Sequence, residues 1–146
     1  LVAAEIHRLH AAGRRGYRET PAQVAVRVIR RVGLVRYANQ PADSVPTGIA
    51  RLLELARALA LAPRLLLLDE PSSGLSTTET ESFADLLRDL ADEGKAVLIV
   101  EHDMRLIMRV CDHLHVLNFG EVIASGPPSR IRADEAVQRA YLGQPV

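Results

Sequence analysis

Leu65-Leu66-Leu67-Leu68-Asp69-Glu70-Pro71 runs from four leucines straight into two neighbouring carboxylates and a proline. A continuous apolar run of this length, following Pro63, reads as a strand buried on both faces. Pro71 ends the strand and fixes the turn that follows. The two acids then stand at the carboxyl end of a buried strand, the edge where open α/β sheets place ligands. Carboxylates there are costly to bury unless a cation or a catalytic task compensates them. The plain alternative is that both only cap the next turn, although a cap needs a single acid.

On either side of this strand the pattern alternates between helix and strand. Ile49, Leu52, Leu53, Ala56, Leu59 and Ala60 follow helical spacing ahead of it. Behind it, Ser76-Thr77-Thr78-Glu79 fits a capping box, and Phe83, Leu86, Leu87 and Leu90 form one buried helical face that ends at Gly94. Ala96 to Val100 is a second short apolar run, hence a second core strand beside the first. Asp103 to Val110 reads as a short helix. His113–Leu117 and Glu121–Ala124 flank Asn118-Phe119-Gly120, a hairpin signal. A last helix holds Ile131, Val137 and Tyr141. Strands alternating with helices indicate an α/β fold with parallel core strands.

The first forty residues read as helical. Ile6, Leu9 and Ala12 make a short apolar face, and Gly13-Arg14-Arg15-Gly16 a basic break. Thr20-Pro21-Ala22-Gln23 is a helix start with Thr20 as N-cap and Gln23 closing a capping box. Asn39 to Asp43 reads as a loop.

Composition narrows the function. The 146 residues are 48% apolar, enough for a substantial core. Lys plus Arg number 18, as do Asp plus Glu, and aromatics are 3%, which argues against a general nucleic-acid surface. The single cysteine, Cys111, excludes an intrachain disulfide framework and suits a reducing compartment. No segment reaches the roughly 20 apolar residues of a membrane span. Of the histidines, only His102 follows a core strand beside the acid pair. His7 and His10 have no such context, and His113 and His115 share one strand face without a third ligand, a weak case for zinc.

Four segments therefore line up: Val45-Pro46-Thr47-Gly48-Ile49 opening a helix, the strand with Asp69-Glu70, Ser73-Gly74-Leu75-Ser76, and Val97 to Val100 leading into Glu101-His102-Asp103-Met104. Together with the ending Ala140-Tyr141-Leu142-Gly143, they resemble the ATP-binding subunits of ABC transporters, most of all those of branched-chain amino acid uptake systems. The resemblance covers essentially the whole chain. It implies a partial P-loop NTPase (RecA-like) core, residues 44–146, preceded by the remainder of a helical subdomain, residues 1–43.

It also implies roles for single residues. Asp69 supports Mg²⁺, Glu70 activates the attacking water, and His102 reaches the γ-phosphate of ATP. Val45 to Ile49 stand where the family has its signature loop, Leu-Ser-Gly-Gly-Gln. Pro46, Thr47, Gly48 and Ile49 are the phosphate-contacting candidates, through backbone N–H groups at a helix start. Only one glycine matches, and Pro46 removes a donor. Ser73, Gly74 and Ser76 stand in the loop that links two active sites. Ser76 replaces the usual aspartate there and brings no charge.

The implied partners are a second ATP-binding subunit and transmembrane permease subunits, which hold the protein peripherally at the cytoplasmic face of the inner membrane. No nucleic-acid partner is implied. Arg14 and Arg15 read first as a solvated turn, with acidic groups of the permease as the alternative contact. Gly-x-x-x-x-Gly-Lys-Ser/Thr, the phosphate loop, occurs nowhere in the sequence. The chain therefore reads as the C-terminal part of such a subunit, inactive by itself. The missing loop and thin signature also fit a non-catalytic remnant of the fold. An ABC ATPase of translation or repair would add basic patches or inserted coiled coils, and neither is present.

Overall fold

Thr20 and Ser76 start helices by the same device. Each side-chain oxygen accepts from the backbone N–H three residues on, while Gln23 or Glu79 reaches back to the cap's own N–H. Two of the N–H groups that a helix leaves unpaired are satisfied at each site. The computed structural model describes Ala4 and residues 19–142. The apolar face of Ile6, Leu9 and Ala12, the break at Gly13–Gly16 with its arginines, His7, His10 and Gly143 lie outside the described residues.

The chain divides into two compact units, Leu1–His102 and Asp103–Val146. This division falls inside the segment that the sequence reading treats as one. In the first unit, helix α1 (Pro21–Arg31) packs on α2 (Thr47–Leu59), with single 3₁₀ turns between them. Strand β1 (Leu65–Asp69) follows, then α3 (Thr77–Asp92) and β2 (Ala96–Val100). β1 and β2 pair in parallel with Leu65 opposite Ala96 and Asp69 opposite Val100. Phe83, Leu86, Leu87 and Leu90 are buried on α3, which packs against β2.

The expectation that the leucine strand is buried on both faces is corrected. Leu66 is buried, but Leu67 is 68% exposed and Leu98 on the neighbouring strand 58%. Leu65 and Val100 are exposed as well. Alternate residues of a strand point to opposite faces, so one face of this ribbon is covered and the other bare. A continuous apolar run signals two covered faces, and the described residues supply cover for one.

In the second unit, α4 (Met104–Val110) precedes the hairpin β3 (Leu114–Asn118) and β4 (Glu121–Gly126). The antiparallel register slips between Val116 and Leu117, a bulge near the tip. Leu114 and Val116 point inward and form a core with Ile131 and Val137. The expected single last helix is corrected to three pieces, α5 (Pro128–Ala133), α6 (Glu135–Val137) and a π-helical turn at Gln138–Leu142. Asp134 causes the break. Its carboxylate accepts from the N–H groups of Ala136 and Val137, so a new helix starts where the old one stops. The Tyr141 hydroxyl donates to the Leu117 carbonyl and ties the final turn to the hairpin. No helix among the described residues is long and apolar enough to cross a membrane.

Candidate functional site

Parallel pairing puts the carboxyl ends of β1 and β2 side by side, and the polar residues that follow them meet there. The ladder runs one residue past the strands, since Glu70 N–H donates to the Val100 carbonyl at 2.9 Å. Glu70 itself has φ +43°, in the left-handed region that costs a side-chain-bearing residue about 1–2 kcal/mol. This kink takes Glu70 out of the strand's alternation, and its carbonyl accepts from Ser73 N–H to close the turn. The Glu70 carboxylate then lies 3.7 Å from His102 Nδ1. Both side chains are largely exposed, so the pair is open to a ligand from solvent. Asp69, exposed at the strand end, precedes them.

Glu101 organises this cluster, and the sequence reading gave it no role of its own. Its side chain is fully shielded (0% exposed). One carboxylate oxygen accepts from both the N–H and the hydroxyl of Ser72, in the turn after β1. The other accepts from His102 N–H at 3.0 Å and stands 3.8 Å from His102 Nδ1. A shielded carboxylate satisfied by several donors is a rigid strut. It fixes the turn carrying Glu70 to the strand end carrying His102. The sequence signal was available in principle, because an acid directly after an apolar strand needs donors from another segment.

A second cluster forms at the start of α2. Pro46 occupies the N-cap position with no side-chain hydrogen bond to the helix, so the first-turn N–H groups have no side-chain cap. Thr47 is exposed, whereas Gly48 and Ile49 are buried. Ile49 packs into the core and is only 4% exposed, backbone included. Gly48 lies directly against the loop after β1. A Cβ there would come within 2.4 Å of the Gly74 carbonyl oxygen, so only glycine permits this approach. Gly74 has φ +80° and faces Gly48 N–H and the Thr47 side chain. Ser73, Gly74 and Ser76 are exposed. The Ser76 hydroxyl is engaged with Glu79, as donor to its carboxylate at 2.8 Å.

The structure thus brings Glu70 and His102 together, with Asp69 beside them in sequence, and separately brings Thr47 and Gly48 against Gly74. The exposed Asp69 carboxylate offers the hard oxygens that suit Mg²⁺, and the uncapped helix start offers N–H donors that suit phosphate. The arrangement can hold an anion and polarise a water.

The family described as branched-chain amino acid ATP-binding cassette transporter matches residues 121–146. The high-affinity branched-chain amino acid transport ATP-binding protein LivG of Escherichia coli K12 is 39% identical over 117 residues, 80% of this chain and 46% of LivG. The corresponding Pseudomonas aeruginosa protein, BraF, is 40% identical over 134 residues, 91% of this chain and 52% of BraF. The chain therefore spans about half the length of the curated relatives it matches. Among solved structures, the cassette MJ1267 of an ABC transporter superposes with a TM-score of 0.77 at 24% identity. That match covers 98% of this chain and 61% of MJ1267, and the same cassette has been solved in an ADP conformation.

Proposed function

The chain belongs to the ATP-binding subunits of ABC transporters, and on that premise we propose that it supplies the water-activating half of an ATP site. The observation that carries this reading is the 3.7 Å approach of Glu70 to His102 across neighbouring strand ends. Glu70 accepts the proton of the attacking water as general base. His102 donates a hydrogen bond to the γ-phosphate oxygens and steadies them. Glu101 holds both in place through Ser72 and the His102 N–H. Asp69 is the residue that would hold Mg²⁺, which neutralises phosphate charge when bound.

The exposed helix start at Thr47 forms the second contact surface, with Gly48 and Ile49 buried behind it. Pro46 directs the chain into it, and Ser73, Gly74 and Ser76 stand beside it. In the assembled transporter this surface meets the ATP of a second ATP-binding subunit. Residues 1–43 are the remainder of a helical subdomain, and 44–146 belong to the ATPase core. Permease subunits hold the protein at the cytoplasmic face of the membrane. The solute is a branched-chain amino acid, as in the names of LivG and BraF.

The test is ATP hydrolysis by an assembled cassette in which these residues supply the site. His102→Ala should lower turnover by roughly 10²-fold or more while nucleotide still binds. The 146 residues alone, lacking the phosphate loop, should show none. Normal turnover by the variant, or hydrolysis by the chain alone, overturns the reading.

A further inference from the structure

The outward face of the hairpin carries a group that ATP chemistry does not use. Ser125 stands directly opposite His115 across the β3–β4 ladder. Its hydroxyl lies 3.0 Å from His115 Nδ1 and 3.0 Å from His113 Nε2. The two imidazole rings are 5.0 Å apart and tilted by 51°. Both histidines are exposed. His113 is the residue just before β3 and His115 lies on it, so the entry into the strand brings both rings to Ser125, which faces His115 across the ladder. Inward neighbours Leu114 and Val116 are buried in the unit's core, so the backbone under the pair is held.

We propose that His113 and His115, oriented by Ser125, form a solvent-facing binding site for a late first-row transition-metal dication, with Cu²⁺ bound most tightly. Imidazole nitrogen suits copper, nickel and zinc, and affinity rises along the series to copper. The hydroxyl now bridges the two ring nitrogens where a shared cation would sit. Metal–nitrogen bonds of about 2.0–2.1 Å are shorter than the present contacts, so each nitrogen must close in by roughly 1 Å. Exposed rings reach that by small torsions, with Ser125 rotating aside. No third histidine, cysteine or carboxylate joins the group among the described residues. The remaining coordination positions therefore go to water, and the site is an exchangeable one rather than a structural zinc centre. Ser125 acts as a positioning residue, which holds the rings toward each other before the metal arrives.

The experiment uses the whole 146-residue chain and the metal salt alone. Substoichiometric Cu²⁺ is added to protein with assigned histidine ring protons. Those of His113 and His115 should broaden first, before those of His7, His10 and His102. In parallel, Cu²⁺ is titrated calorimetrically and the electron paramagnetic resonance signal examined for coupling to two nitrogens. His113→Asn and His115→Asn should each weaken the one-to-one site by about tenfold or more, equal to about 1.4 kcal/mol. Ser125→Ala should weaken it by less than either asparagine variant and keep the two-nitrogen signal. First broadening at another histidine, or affinity unchanged in both asparagine variants, overturns the proposal. The ring-proton measurement needs no substitution, so a misfolded variant leaves the test intact.

Discussion

The two strand pairs of this chain solve the same burial problem in opposite ways. The antiparallel hairpin β3–β4 turns Leu114 and Val116 into a core of its own unit and shows His113 and His115 to solvent, with Leu117 and Val122 exposed nearer its tip. The parallel pair β1–β2 turns Leu66 inward but leaves Leu65, Leu67, Leu98 and Val100 exposed. Antiparallel sheets tolerate one wet face, whereas parallel sheets are covered on both. The strand pair that carries the candidate site thus has an apolar face fit for further cover, and the hairpin's outer strand face is polar where the histidines stand. Position of chemistry follows from this contrast. Glu70 and His102 are adjacent only because parallel strands end on the same side, which a hairpin cannot arrange for consecutive core strands.

The largest expected effect tests the parallel pair's chemistry. In an assembled cassette, Glu70→Gln should lower ATP hydrolysis by roughly 10²–10⁴-fold, the usual scale for a general base, and leave ATP binding intact. Near-normal turnover would remove Glu70 from the mechanism. The second test asks whether the bare face is covered in that assembly. Leu67→Ala should change the stability of the isolated chain by less than about 0.5 kcal/mol, as at an open surface. Where the face is covered, the same substitution should cost about 2–5 kcal/mol. Denaturant unfolding of both forms measures the two values, and equal small costs would break the contrast. The third probes the contact between the helix start and the neighbouring loop. Gly48→Ala drives a methyl group into the Gly74 carbonyl and should cost about 1–3 kcal/mol by overpacking. Unchanged stability would show that the approach relaxes freely.

Local structure was legible in the sequence, and of the long-range meetings only the one that parallel pairing dictates. Both capping boxes, the limits of β2, the start of β1 and the turn at Asn118–Gly120 were readable because each depends on residues within a few positions. The meeting of Glu70 with His102 also followed, since two apolar runs joined by one helix pair in parallel. Glu101 was missed because its partner Ser72 is 29 residues away. The closeness of Gly48 and Gly74 was missed for the same reason. The leucine run misled about burial because composition records what a strand is suited to, not what covers it. Asp134 was missed as a break because one acid inside a helical pattern carries no warning of its own.

The smallest effect concerns the cap that begins the crossover between the two parallel strands. Glu79 accepts from the backbone N–H of Ser76, then from its hydroxyl, and Arg36 approaches to 4.0 Å. These contacts hold its carboxyl below the ordinary value of 4.5. A carboxyl lowered by folding stabilises the native state above the unfolded value, and that contribution fades as pH falls through the lowered one. Stability should therefore decline as pH drops below about 4.5, the unfolded value, and Glu79→Gln should flatten this part of the profile. Ser76→Ala removes the cap itself and should cost about 1 kcal/mol at neutral pH. The hairpin unit has no such crossover, so both substitutions should leave the Tyr141 tie and the core around Ile131 and Val137 unchanged. Thermal unfolding across acid pH checks the profile. An identical acid slope in the glutamine variant would place the acid sensitivity elsewhere, such as at Glu93, whose carboxyl Arg31 lowers by hydrogen bonding.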